Sequence, residues 1–254
     1  MATFVLVHGA WHGGWCWQRV ATRLRRAGHE VLTPTLTGLG DRSHLLTPDI
    51  GLRSHVEDLV ATLEFEDASD VVLVGHSYAG LVISGAAGRV RDRLRQLVYL
   101  DAFLPDEGDY ALKLLPGEIA DTMRRLAAED GEGWKIPPRS LKALGVVDEE
   151  AERWLMGRLV PHPFRSYEEP VHLTGDLTAV PAAYVLCTGW AAVFRPQAAK
   201  ARARGWPVLE IERDHEAFAT APDELAEMLV SAVAAVDNRG RDGAGVARDG
   251  SGGG

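Results

Sequence analysis

Ser77, His215 and an aspartate between them in sequence, Asp101, are residue types that together can turn a hydroxyl into a nucleophile. A serine oxygen attacks a carbonyl only when a base takes its proton, and the base works only when a third group fixes its tautomer. Ser77 lies in LVGHSYAG, residues 73–80, between tight-turn residues and directly after the apolar run VVLV. Where the GxSxG spacing has a second glycine this chain has Ala79, followed by Gly80. A strand-to-helix turn there needs a small side chain because the helix packs close, and alanine adds only a methyl.

Such groups need elements to aim them. TFVLV at 3–7, EVLTPTL at 30–36, DVVLVG at 70–75, LRQLVYLD at 94–101, PAAYVLCTG at 181–189 and PVLEIE at 207–212 are short apolar runs that predict buried strands. Between them come helical patterns, clearest in LRSHVEDLVATLEF, where Val56, Leu59, Val60 and Leu63 fall on one face. The alternation predicts an α/β fold with a mainly parallel sheet and helices on both faces. In such a sheet, reacting groups gather beyond the carboxyl ends of the strands. Four places fall there: His8 to Trp11, Ser77, Asp101 and His215.

From 103 to 175 the alternation breaks into helical stretches with scattered aromatics, which predicts a helical cap inserted into a core of residues 1–102 and 176–236. After Val236 the chain reads DNRGRDGAGVARDGSGGG, with no apolar periodicity, and residues 237–254 are expected to be a disordered tail.

With 254 residues, 46% hydrophobic and 25% charged, the chain is long and apolar enough for an enzyme-sized core. A formal charge of −9 gives no global attraction for nucleic acid or an anionic membrane, and neither partner is expected. The basic run from Arg89 to Arg95 reads as the wet end of a helix. Cys16 and Cys187 form neither a disulfide framework nor a zinc pattern and read as buried structural thiols. The opening MATFVLVHGA lacks a basic leader and a signal-length apolar run, so a cytoplasmic protein is the expectation. His8 and His12 stand on a strand end and loop without a metal motif and read as loop-shaping residues. GLGDRS lacks the third glycine of a dinucleotide loop. No metal and no cofactor are expected.

FVLVHGAWHGGWCW, LTGLGDRSHL, GHSYAG, YLDAFLPDEG and DHEAFATAPDELAEML together resemble the α/β-hydrolase branch that contains plant methyl esterases, hydroxynitrile lyases and many bacterial esterases. The likeness runs over nearly the whole chain before the tail. It implies the α/β-hydrolase fold, whose triad follows the chain order Ser, Asp, His. It also implies an oxyanion hole made by the backbone amides of Ala10 and Tyr78, with the flanking Gly9 and Trp11 as candidate substrate contacts.

Lyases of that branch carry a threonine and a lysine where this chain has Gly9 and Glu216, so cyanohydrin cleavage is not expected. Members of the branch usually place the triad acid just after the strand corresponding to YVLCTG, where this chain has Trp190. Either the acid comes from elsewhere or the site has been repurposed. Asp101 is the candidate acid, because neighbouring strand ends share one cleft; Asp214 adjoins His215 and is badly placed to bond its ring, and Glu212 should point away.

The expected function is a cofactor-independent serine esterase, with Ser77 as nucleophile, His215 as base and Asp101 as orienting acid. Its expected partner is a small, fairly apolar ester, and the sequence leaves the oligomeric state open, a homodimer included. Two other readings stand beside it: a lyase or cyclase acting without an acyl-enzyme, and a silent ligand-binding relative. A cap should line the pocket with one or two aromatics, although Trp11, Trp15, Trp134, Trp154 and Phe164 taken singly are more often core.

Overall fold

The computed structural model of the chain describes residues 1–190 and 192–246. The first half reads β1 (Thr3–Val7), α1 (Gln18–Arg26), β2 (Glu30–Leu32), α2 (Leu52–Phe65), β3 (Val71–His76), α3 (Ala79–Ala87) and β4 (Leu94–Leu100). Next come α4 (Ala111–Leu114), α5 (Gly117–Asp130), β5 (Lys135–Ile136), α6 (Glu149–Leu155), β6 (His162–Pro163) and α7 (Arg165–Glu168). The chain then returns through β7 (Ala182–Cys187), α8 (Arg195–Ala203), β8 (Val208–Ile211), α9 (Ala217–Thr220) and α10 (Pro222–Val246).

Six strands form one parallel sheet in the order β2-β1-β3-β4-β7-β8. Every residue of β3 and β7 is buried, as continuous apolar runs require when helices cover both faces. Helix α1 packs on α10 and α2 on α3. All nine residues of α3 are buried; its alanines and glycines let it lie close behind the sheet. β5 and β6 form a separate antiparallel pair.

The strand expected over EVLTPTL ends at Leu32. Pro34 has no N–H to give to a ladder, and the next groups bond elsewhere: Thr35 Oγ1 accepts from the Gly14 amide at 3.0 Å, and the Leu36 amide donates to His8 Nε2 at 3.1 Å. The interval 103–175 carries α4 to α7 and the small antiparallel pair, which apolar periodicity alone did not predict. The disorder expected from residue 237 gives way to a continuation of α10 through Val246, held at its start by an ion pair between Asp237 and Arg95 at 2.7 Å. The rest of that expected tail, 247–254, lies outside the described residues. Arg89, Arg93 and Arg95 pair with Glu57, Asp67 and Asp70 at the surface. Among the described residues, no helix is long and apolar enough to cross a membrane.

Candidate active site

Ser77 follows β3 directly and precedes α3, at φ 55°, in the left-handed region that an L-residue enters only at a cost. The surrounding backbone holds it there. Its N–H donates to the Leu100 carbonyl at 3.2 Å, and its own carbonyl accepts from the Gly80 and Phe103 amides, each at 3.1 Å. The tight approach falls at Gly80, where a Cβ would stand 2.0 Å from the Phe103 carbonyl oxygen. Position 79 tolerates alanine, and position 80 tolerates no side chain.

Asp101 closes β4 with φ 42°. Its amide donates to Val185 O at 2.7 Å, and its Oδ1 accepts from the Cys187 amide at 3.2 Å. Tyr184 fixes the following residue from both sides, donating its hydroxyl to Ala102 O at 2.7 Å and accepting from Ala102 N at 3.0 Å. The carboxylate is therefore stitched to the end of the neighbouring strand.

His215, in the loop after β8, stands between the two. Its Nδ1 lies 2.6 Å from Asp101 Oδ2 and its Nε2 lies 3.0 Å from Ser77 Oγ. A carboxylate can only accept, so Nδ1 carries the proton and Nε2 presents its lone pair to the serine hydroxyl. Burial works to lower the His215 pKa. The Asp101 hydrogen bond and charge, joined by Glu216 and Asp214, outweigh it, and the imidazole titrates above its ordinary value of 6.5. Asp214 does not reach the ring; its Oδ1 accepts from the Glu216 amide at 2.8 Å. Glu212 is exposed.

Behind the base lies His76, whose Nε2–H donates to the His215 carbonyl at 2.9 Å. Burial, aided by the His215 charge, holds the His76 pKa far below the usual histidine range, so this second imidazole stays neutral. Trp190, at the position where the resemblance leads one to look for an acid, puts its ring 4.8 Å from that of His215, and Phe194 stacks on the base at 5.2 Å.

The loop after β1 supplies the other wall. Among the described residues, the amides of Ala10 and Tyr78 donate to no protein acceptor, although both residues are buried. Buried amides of this kind are available to an oxyanion. The two histidines of the loop shape it: His8 bonds Gly9 O at 2.8 Å and His12 bonds Ala10 O at 2.7 Å, with His12 Nε2 3.4 Å from the buried Glu216 carboxylate. Burial takes the His8 pKa down to about 3. Among the described residues no histidine, cysteine, aspartate and glutamate cluster could hold a metal ion.

A narrow cavity of about 40 Å³ opens between Ser77 and His215 on one side and Leu115, Ile119, Met123 and Tyr167 on the other. Trp11 lines it, at φ 66°, with its indole N–H donated to Ile136 O at 3.0 Å. Gly9 is not on the cavity wall; it packs against His76 and Ser77. A roomier groove of about 240 Å³, between α2 and the stretch Glu169–Thr174, contains none of these groups.

The sequence reading placed Ser77, Asp101, His215, Ala10, Tyr78 and Trp11, and all of them converge here. It missed Phe194, Tyr167 and Arg139, which also line the cavity, and the role of the Trp190 ring beside the base. Trp15 and Trp154 instead meet edge to face, away from the cavity wall. Leu115, Ile119 and Met123 do carry a signal, since they recur every fourth residue across the start of α5.

Residues 4–228 match the sequence profile of the alpha/beta hydrolase family, and the chain belongs to that family. It is 41% identical over 241 residues to the carbendazim hydrolyzing esterase of Nocardioides sp. (strain SG-4G), a match covering 91% of this chain and 99% of that one. Over 144 residues it is 33% identical to methyl jasmonate esterase 1 of Vitis vinifera, covering 54% of each chain. The fold also matches an extracellular alpha/beta-hydrolase from a Paenibacillus species at a TM-score of 0.78 and 24% identity, over 91% of this chain and 99% of that one. The protein is an ester-hydrolysing member of its family.

Proposed function

We propose that Ser77, His215 and Asp101 are the catalytic residues, and that the protein cleaves small, fairly apolar carboxylic esters through an acyl-enzyme. Ser77 Oγ attacks the ester carbonyl while its proton passes to His215 Nε2. The amides of Ala10 and Tyr78 receive the oxyanion, a contribution of roughly a hundredfold to a thousandfold in rate for each donor. His215 then protonates the leaving alcohol, and a water molecule activated by the same nitrogen releases the acid. Asp101 holds the imidazole in the reactive tautomer and stabilises its cation.

The observation that carries this reading is the continuous path from Ser77 Oγ to His215 at 3.0 Å and on to Asp101 at 2.6 Å. The non-covalent lyase or cyclase reading drew on the missing acid at Trp190; an acid on the neighbouring strand end removes its motive. The relatives named for carbendazim and methyl jasmonate support small organic substrates. Free, buried Cys16 and Cys187 suit a reducing compartment, and we place the protein's work in the cytoplasm.

Covalent labelling by a fluorophosphonate, read by intact mass with circular dichroism as the folding control, tests the assignment. The native protein should label fast, Ser77→Ala not at all, and Asp101→Asn much more slowly. Folded native protein that stays unlabelled would sink the acyl-enzyme reading.

A further inference from the structure

We propose that Arg139 is a substrate-recognition residue that selects esters bearing a second, ionised carboxylate, such as the monoesters of dicarboxylic acids. The proposal deepens the esterase reading and rests on it for the position of the scissile bond.

Arg139 lines the same cavity as Ser77 and His215, and, apart from the base itself, is the one charged side chain on that wall among the described residues. Ser77 and His215 aside, the wall around it is apolar or aromatic, with Leu144, Met123, Ile119 and Leu115 nearest to it along the chain. The side chain is half-buried. Among the described residues its guanidinium makes no hydrogen bond and no ion pair, although most other arginines of this acidic chain are paired with carboxylates or carbonyls. A half-buried guanidinium that keeps no protein acceptor is free to take an anion, and a planar carboxylate meets its fork with two parallel bonds. An unpartnered arginine in a substrate cavity is thus a site prepared for an anion.

The backbone supports that use. Arg139 follows Pro137 and Pro138, whose rings fix φ, and precedes Ser140, whose hydroxyl caps the turn Leu141–Leu144 by accepting from the Ala143 amide at 3.3 Å. The segment is also bolted to the oxyanion loop, through the Trp11 indole N–H on Ile136 O at 3.0 Å. The backbone that carries Arg139 is therefore anchored to the loop whose Ala10 amide is proposed to receive the oxyanion. Its charge reaches Tyr167, where it opposes the large rise that burial imposes on the phenol pKa. That phenol sits on the same wall and, among the described residues, donates to no protein acceptor, which supplies a second donor for the anion. The carboxylates near the base do not compete: Asp101 is bonded to His215 and Cys187 N, Glu216 faces His12, and Asp214 bonds the Glu216 amide.

Two measurements test the proposal. Binding of monomethyl and dimethyl esters of the dicarboxylic acids from succinate to suberate is followed calorimetrically on Ser77→Ala, with and without Arg139→Gln. Hydrolysis of the same pairs is followed on the native chain, Arg139→Gln and Arg139→Lys. The monoester of at least one chain length should bind Ser77→Ala tenfold or more tightly than its diester. Arg139→Gln should erase that preference, mainly through KM, and Arg139→Lys should restore part of it. An equal monoester-to-diester ratio in native protein and Arg139→Gln overturns the proposal. Should the native chain hydrolyse no ester while the binding preference persists and depends on Arg139, the acyl-enzyme reading fails and the carboxylate site stands.

Discussion

The carboxyl edge of the sheet and the 103–175 interval turn their chains in opposite ways. At the sheet edge the left-handed backbone positions are occupied by Trp11, Ser77 and Asp101, at φ 66°, 55° and 42°. In the interval they fall mainly to glycine, at Gly108, Gly133, Gly145, Gly157 and Gly175. Glycine enters that region freely, whereas other residues pay about 1–2 kcal/mol each. Outside the edge the same region is entered by Asp67, Asp70 and Glu132, all in exposed turns; at the edge the strained residues are buried or half-buried, and backbone bonds such as Ser77 N–H to Leu100 O and Asp101 N–H to Val185 O hold them. On the proposed function, the edge holds the chemistry and the interval supplies the wall opposite it.

The strongest way to break that contrast is to remove the chemistry from the edge while leaving its packing intact. Asp101→Asn keeps the shape but offers His215 an amide in place of a carboxylate, and ester turnover should fall roughly a thousandfold to ten-thousandfold. The variant should also move the pH profile. In the native protein the base works only when neutral, so kcat/KM should rise with pH through a midpoint above 6.5, because Asp101, Glu216 and Asp214 raise the His215 pKa against the pull of burial. Without the Asp101 charge, the limb should shift to lower pH. A pH–rate profile unchanged by the substitution would show that Asp101 does not set the base.

A second pair of variants compares the two regions by the same substitution. Gly80→Ala forces a methyl to within 2.0 Å of the Phe103 carbonyl, and neither backbone has room to yield. It should cost on the order of 3 kcal/mol or more, within the range of the most disruptive single substitutions. Gly157→Ala meets nothing within 4 Å and suffers only its φ of 77°, a cost of about 1 kcal/mol. Denaturant midpoints with unchanged slopes would give both values; equal costs would mean that the elbow is no tighter than a surface turn.

Acid should act on both regions through their buried histidines, His8, His55 and His76 in the core and His162 in the interval. His8 titrates at about 3 and His55 at about 4, both because burial disfavours the charged ring, and burial likewise holds His76 and His162 far down. The unfolded chain protonates these rings near 6.5 while the folded chain does not. It therefore binds more protons, and stability falls as pH drops below 6.5 toward the folded values. His8 alone should cost about 2 kcal/mol between pH 6.5 and pH 5. Thermal melts at pH 7, 6 and 5 should show a steepening loss, and a flat profile would contradict neutral burial of these rings.

The difference between the regions also explains what could be read from the sequence. Strand ends in a parallel sheet are positions that topology dictates, so Ser77, Asp101 and His215 were visible from element order. That Asp101 comes within reach of His215 follows from the sheet order, since β4 and β7 are neighbours and His215 follows β8, one strand further. The wall was harder. Tyr167 and Arg139 reach the cavity through short turns, a two-residue strand pair and a Pro-Pro bend, none of which leaves a periodic pattern. Trp154 is a reasonable candidate by type, but it meets Trp15 edge to face beneath the Arg19 and Arg158 guanidinium groups instead. The helical stretch after Val236 was hidden because glycines in 237–246 argue against a helix, while the Arg95 to Asp237 pair is a tertiary contact.

The smallest expected effect sharpens the comparison most finely. Ile119 and Met123 lie one turn apart on α5 and line a cavity of only about 40 Å³ opposite Ser77 and His215. Met123 is buried, so Met123→Ala should destabilise by about 2 kcal/mol or more through the space it leaves, which would confuse any reading of specificity. Ile119 is only partly buried, and Ile119→Val removes a single methylene with little loss of packing. The extra room should favour an acyl chain longer by one carbon, by roughly tenfold in kcat/KM, the usual effect of one methylene in an apolar pocket. Labelling by a small ethoxy fluorophosphonate depends on Ser77, His215 and the proposed oxyanion amides, all outside α5, and should change by less than about threefold, a difference worth under 1 kcal/mol. A specificity shift with constant labelling would separate wall from chemistry. A parallel fall in both would mean that α5 helps to aim the catalytic groups, and that the two regions are one device.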